Sequence, residues 1–186
     1  MKIKVAFVGA GKMVSAIVKS LLRAKNFEAA DIACCSADDG TSEKLSGETG
    51  IIRFDSIEEM LAAKPNLLAL GCKPQQLTML PDSVTKSTEG TLILSIMAGI
   101  TLDRLNCVFP NARNIVRSMP NTPGQVGAGA TGFLFARDAE EDDRQLIMGI
   151  LSSLGFAREV GEERDVDRVT AISGSGPAYV FEFACA

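Results

Sequence analysis

Short apolar runs alternate with amphipathic ones along almost all of this chain, and no other feature narrows its possible folds as far. The runs "KVAFVG", "DIACCS", "IIRF", "NLLALGC", "TLILSIM" and "NIVRSM" are mostly apolar and bounded by polar or glycine-rich residues. Runs of this kind read as strands buried on both faces. Between them, apolar residues recur at helical spacing over Met13–Ala24, and further helices are expected around Ser42–Gly47, over Ser56–Ala63, from Gln75 to about Val84, and over Leu102–Phe109. Strands separated by helices of this length imply repeated βαβ units. The expected class is α/β, with a doubly wound, mostly parallel sheet covered on both faces.

Beyond Met119 the texture changes. "PNTPGQVGAGATG" packs Pro and Gly so densely that it is expected to be a loop with fixed bends, neither helix nor central strand. A strand at "TGFLFA", a helix from about Glu140 to Leu154 and a strand at "FAREVG" then extend the sheet, before a helix near Asp165–Ile172. The chain closes on "SGSGPAYVFEFACA", read as a loop turning into a helix with Pro177 at the first helical position, where its missing N–H costs nothing. No capping residue ends that helix, and nothing later covers Tyr179, Val180, Phe181 and Phe183. At 186 residues the length suits one domain plus a remnant, taking about 100–200 residues per domain. The expected division is 1–161 for the sheet domain and 162–186 for a linker helix and the start of a truncated all-helical domain. The uncovered apolar residues predict self-association.

A formal net charge of −4 with both signs interspersed leaves no footprint for nucleic acid and no basic face for an anionic membrane. Glycines interrupt "MKIKVAFVGAG" before signal-peptide length, and nothing approaches a membrane span, so a cytoplasmic protein is expected. Five cysteines form no CxxC pair and there is no histidine, so no metal site is expected. Without imidazole, any enzymatic chemistry must work through Lys, a carboxylate, a hydroxyl or the substrate's own reactivity.

"GAGKMV", Gly9–Val14, stands at the first strand-to-helix turn, where a Rossmann dinucleotide fingerprint stands. Gly9 allows the tight turn, Gly11 lets backbone N–H groups approach a pyrophosphate, and the helix dipole favours the negative charge. Val14 occupies the third glycine's place, which suggests a shifted helix. At the end of the second strand, "CCSADDG" is ambiguous. Ser36 favours a 2′-phosphate, Asp38 and Asp39 oppose one, and no Arg settles the matter; Asp31 lies at the wrong end of its strand. Lys73-Pro74 ends the fourth strand, and Ala98-Gly99 follows the fifth, small enough for a flat ring to approach, though a plain turn explains them equally well. In "RSMPNTPGQVGAG", Arg117, Asn121 and Thr122 sit among prolines that suggest preorganised polar contacts, and the N–H groups of Ser173–Gly176 suggest a carboxylate cradle. The cysteines read as small apolar fillers.

"FVGAGKM", "CKPQ", "SIMAGI", "RSMPNTP" and "AISGSGPAYVF", in this order, resemble pyrroline-5-carboxylate reductase over essentially the whole chain. The resemblance implies an N-terminal Rossmann domain followed by a helical domain through which subunits dimerise. It also implies NADPH- or NADH-dependent reduction of the imine 1-pyrroline-5-carboxylate to L-proline, the last step of proline biosynthesis, with NADPH the modest preference. A protonated imine is already electrophilic, which accords with the absent histidine. By this resemblance Gly9, Gly11, Lys12 and Met13 hold the pyrophosphate, and Ser36 and Ser56 the adenosine side. Lys73, Pro74 and Gln75 with Ala98 and Gly99 take the nicotinamide half, and Asn121 and Glu163 lie toward the nicotinamide end. Ser175, Gly176 and Pro177 border the substrate, and the family's hydroxyl proton donor lies in a segment this chain lacks. Alternatives are a related imine or β-hydroxyacid reductase, or a non-catalytic NAD(P)-binding module.

Overall fold

The computed structural model describes residues 3–185, with Ser175 and Ala178 as backbone only, so the expected substrate contact at the Ser175 side chain lies outside the described residues. An eight-stranded sheet runs in the order β3-β2-β1-β4-β5-β6-β7-β8. Its strands are β1 Val5–Val8, β2 Ile32–Cys35, β3 Ile52–Arg53, β4 Leu67–Leu70, β5 Leu92–Ser95, β6 Asn114–Met119, β7 Gly129–Phe135 and β8 Gly155–Glu159. Every pairing is parallel except β6 with β7. The helices are α1 Lys12–Arg23, α2 Thr41–Thr49, α3 Ile57–Ala62, α4 Asp82–Lys86, α5 Leu102–Val108, α6 Glu141–Ser152, α7 Glu163–Val169 and α8 Gly176–Cys185.

The apolar runs are strands because both of their faces are covered. Val5, Phe7, Ile32, Cys34, Leu67, Ala69, Leu92 and Leu94 face one core with α1 and α6. Their neighbours Ala6, Val8, Ala33, Cys35, Leu68, Leu70 and Ile93 face a second core with Met60 and Leu61 of α3, Val84 of α4 and Leu105 of α5. Period-two side chains filling two separate cores make the sheet doubly wound, as the alternation predicts. Among the described residues, no helix is long and apolar enough to cross a membrane.

Three expectations need correction. The helix over Gln75–Val84 is two pieces: a 3₁₀ segment, Pro74–Met79, and then α4. Pro81 divides them, because it pushes Leu80 to an extended φ −63°, ψ 130°. Gly129–Gly132 lie in β7, between β6 and β8, although their composition reads as a loop. Glycine is required there for packing, since a Cβ on Gly129 would stand 2.8 Å from Gly124 Cα and 2.8 Å from Leu154 O. Finally, no loop precedes α8. α7 continues through a π-helical stretch, Thr170–Ser175, directly into α8. Pro177 cannot donate the helical bond to the Ser173 carbonyl, and a widened turn accommodates that loss. The Ser173 carbonyl accepts instead from Asn121 Nδ2, at 3.4 Å. The N–H groups of 173–176 therefore do not open a helix, and no carboxylate cradle forms from a free helix start.

Buried polar groups tie this long helical segment to the sheet. Arg117, in β6 and 3% exposed, donates to Glu163 Oε1 at 2.8 Å and to Asp167 Oδ1, both on α7. Glu163 Oε1 also accepts from the backbone N–H of Leu102 at 2.7 Å, so one carboxylate oxygen joins α5, β6 and α7. Asn121 accepts from the Ala130 N–H at 2.9 Å. Tyr179, Val180, Phe181 and Phe183 of α8 are exposed, the least of them 66%.

Val14 is the informative departure in the first turn. It is 1% exposed, and its Cγ2 stands 2.3 Å from where a Cβ on Gly71 would be. The close helix–strand approach usually served by a third glycine is kept by moving the glycine across to β4's end. Gly9, at φ +96°, meets the same place from β1: a Cβ there would lie 2.7 Å from Gly71 O. A β-branched valine in a helix has essentially one rotamer and cannot swing aside. Gly71→Ala is therefore expected to cost about 2–3 kcal/mol in denaturant unfolding, with the Val14→Ala/Gly71→Ala pair recovering most of it. A pair whose effects simply add would overturn this account of the contact. Thr131 Oγ1 is the one buried side-chain polar atom found without a partner among the described residues. Thr131→Val is expected to raise stability by about 1 kcal/mol in thermal unfolding, because it replaces an unsatisfied hydroxyl with a methyl of the same shape.

Candidate functional site

The strand order reverses at β1, which pairs with β2 on one side and β4 on the other. Crevices at such switch points, at the carboxyl ends of the strands, are where open α/β sheets take ligands. A cleft of about 670 Å³ opens there, lined by the ends of β1, β2 and β4 and by the segments around Ser56 and Met79–Pro81. It gathers Gly9, Gly11, Ser36, Ser56 and Lys73 from the residues expected to act together.

Gly11 stands at the N-cap of α1 with φ −68° and ψ −175°, and a Cβ there would meet nothing within 4 Å. Neither backbone conformation nor packing demands glycine at this position. Its bareness keeps the end of α1 open to a group from outside. No side chain caps α1, and no acidic residue lies in its first turn, so its leading N–H groups face the cleft with the positive end of the dipole. The donor set suits a pyrophosphate, which is large, anionic and rich in acceptors.

The other expected residues are placed unevenly. Lys12 lies on a neighbouring hollow beside Gly11, and Met13 is half-buried against the α1 core. Ser36 Oγ is already engaged, 3.0 Å from Ala37 O and 3.2 Å from Asp39 Oδ1. Asp39 Oδ1 also accepts from the Thr41 hydroxyl at 2.6 Å and the Thr41 N–H at 3.0 Å, and these bonds hold its carboxyl below the usual range. Ser56 Oγ caps α3 through the Glu59 N–H at 3.1 Å. The Lys73 N–H bonds Gln76 Oε1 at 2.8 Å, which sets the Lys73-Pro74 bend. Pro74 and Gln75 lie in that 3₁₀ segment but do not line the cleft, and Ala98 and Gly99 are exposed on the β5–α5 connection outside it. Asn121 and Glu163 make the tethers to the helical segment described above. Gly176 and Pro177 are half-exposed within the continuous helix, apart from the cleft. Asp31 pairs with Lys4 at 3.0 Å at the amino-terminal edge of the sheet; a backbone N–H at Glu28 and that lysine lower its carboxyl pKa.

Burial raises the thiols of Cys35 and Cys72 and pushes Cys34 up to about 11. They are protonated at neutral pH, as apolar fillers are. Among the described residues no cluster of His, Cys, Asp or Glu could hold a metal. Several groups were missed at the sequence level. Thr41, Gln76 and the apolar rim Met79, Leu80 and Pro81 all line the cleft, and Lys19 and Lys44 stand beside it. Spacing from Gly11 along α1 could have found Lys19. Nothing in the sequence indicates that the others converge.

Residues 4–99 match the family described as NADP oxidoreductase, coenzyme F420-dependent. Over 95% of its length the chain is 34% identical to the pyrroline-5-carboxylate reductase of Haemophilus influenzae, and it spans 65% of that protein. Among solved structures, the pyrroline-5-carboxylate reductase of Coxiella burnetii superposes with a TM-score of 0.88 at 28% identity, over 98% of this chain and 68% of that one. The pyrroline carboxylate reductase of Plasmodium falciparum, solved with NADP bound, gives 0.80 at 27% identity over 97% of this chain and 66% of that one. The chain belongs to the NADP oxidoreductase, coenzyme F420-dependent family, and over nearly its whole length it is similar to pyrroline-5-carboxylate reductases.

Proposed function

We propose that the cleft binds NADPH, or NADH less favourably, and that the protein of which this chain is part reduces 1-pyrroline-5-carboxylate to L-proline. The observation that carries the first half is the bare, uncapped end of α1 at the sheet's switch point, with a glycine at position 11 that the fold does not need. The second half rests on the reductases that the chain matches over nearly its whole length. When bound, the reduced nicotinamide supplies the hydride that goes to the imine carbon. The chain's own part is to bind and orient. Gly9, Gly11, Lys12 and Met13 hold the pyrophosphate at α1, Ser36 and Ser56 border the adenosine half, and Lys73–Gln75 with Ala98 and Gly99 border the nicotinamide half. Asn121 and Glu163 steady the nicotinamide end, and Ser175, Gly176 and Pro177 lie on the substrate side. No imidazole is needed, because the protonated imine accepts hydride without general-base help.

In this reading residues 1–161 are the dinucleotide-binding domain and 162–186 begin the helical domain. The exposed apolar side chains of α8 are buried in a homodimer or higher oligomer, and the enzyme works in the cytoplasm. The chain spans 65% of the length of its Haemophilus relative.

Calorimetric titration with NADPH and NADH tests the cleft, and oxidation of the reduced dinucleotide in the presence of pyrroline-5-carboxylate by the full-length protein tests the reaction. Gly11→Asp separates the site from the fold. Aspartate is a better N-cap than glycine, so thermal stability is expected to hold or to rise by about 0.5 kcal/mol. Its carboxylate takes the anion's place, so dinucleotide affinity is expected to fall about tenfold or more. Unchanged affinity in this variant, or no binding by the parent chain, would overturn the reading.

A further inference from the structure

A second hollow of about 460 Å³ lies between α1 and α2, and it shares Ala10, Gly11 and Thr41 with the cleft. Lys12, Ser15 and Lys19 come from one face of α1, and Thr41, Lys44 and Glu48 from one face of α2; both sets follow helical spacing. Lys19 bonds Glu48 at 2.6 Å, and Lys44 stands 4.0 Å from the other oxygen of the same carboxylate. Three lysines thus line the hollow against one glutamate, a formal surplus of two positive charges. A phosphate monoester carries about −1.5 to −2 at pH 7, which matches that surplus.

The ordinary place for a dinucleotide's ribose phosphate is the end of the second strand. Here that place is unfavourable. Ser36 donates to Asp39, and Asp39 Oδ1 also takes both donors of Thr41, so the strand end presents a fixed, ionised carboxylate in place of free hydroxyls. The lysine hollow lies on the other side of Thr41, where the sign of the charge is reversed.

We propose that the α1–α2 hollow receives the 2′-phosphate of NADPH, with Lys44 of α2 as its charge partner, so that this hollow sets the preference between the two dinucleotides. The inference rests on the cleft being a dinucleotide site. It makes Lys44 a specificity-determining residue, reached from a helix that the strand-end reading of the sequence does not consider.

The test is calorimetric titration of the whole chain with NADPH and with NADH, for the parent, Lys44→Met, Lys44→Glu and a distant control, Lys86→Met on α4. The Lys44 side chain is 78% exposed, so its replacement does not threaten the fold. The parent is expected to bind NADPH more tightly, with an advantage that shrinks as salt is raised. Lys44→Met is expected to lower the NADPH-over-NADH ratio about fivefold, Lys44→Glu to lower it further, and Lys86→Met to leave it alone. Binding of both dinucleotides with a ratio that Lys44→Met does not move, or that Lys86→Met moves as far, overturns this inference and leaves the cleft reading standing. Binding of neither by the parent overturns both.

Discussion

Two backbones and one side chain meet at the point where the sheet reverses its order. Gly9 leaves β1 with its N–H bonded to Cys35 O at 2.7 Å, and Gly71 leaves β4 with its N–H bonded to Val8 O at 2.8 Å. Both ladders therefore run to the last residue before the turn. Gly9 has no room for a Cβ against the backbone of Gly71, and Gly71 has none against the side chain of Val14. This contact fixes the start of α1 against the middle of the sheet. A few tenths of an ångström of extra separation would lift the helix terminus, and with it the N–H groups that line the cleft.

The arrangement also explains how the chain tolerates a fingerprint that departs from the usual pattern. What a dinucleotide site needs from its third glycine is a helix close to the strand, and closeness is a property of a pair of residues. With valine on the helix, the pair keeps its spacing by having glycine on the strand side. Reading Val14 alone suggests a displaced helix; reading it with Gly71 removes that need. The partner is 57 positions away in sequence and adjacent only once β4 lies beside β1.

Legibility followed the same division between local and paired information. The central strands β1, β2, β4 and β5 were readable because a strand buried on both faces is apolar at nearly every position, whichever neighbour covers it. β7 was only half readable. Its Gly129–Gly132 stretch looks like a loop by composition, yet Gly129 lets Leu154 O and Gly124 Cα come close to the strand, and Gly132 does the same for Val169. The helical run from Ser173 into α8 was unreadable for the opposite reason, since Ser, Gly and Pro in succession argue for a break, and what sustains the helix is a wide turn with Asn121 serving the Ser173 carbonyl. In the site, Gly9 and Gly11 were legible from the first strand–turn–helix. The engagement of Ser36 with Asp39, and the meeting of Lys12, Lys19 and Lys44, depend on which helix faces lie together.

The polar loop residues show most clearly why a residue type does not by itself reveal its task. Arg117 and Asn121 look like ligand-binding groups, because preorganised polar side chains between prolines have no obvious use in a bland loop. The structure accounts for their hydrogen bonds inside the protein. Arg117 is 3% exposed, and a guanidinium so deeply buried must have acidic partners, which Glu163 and Asp167 supply. Glu163 extends the connection, for the oxygen that meets Arg117 also takes the first N–H of α5. That N–H follows directly on the connection carrying Ala98 and Gly99, at the carboxyl edge of the sheet. The α7–α8 segment and the β5–α5 connection are therefore anchored to a single carboxylate, and neither can shift without straining the hydrogen bonds of the other.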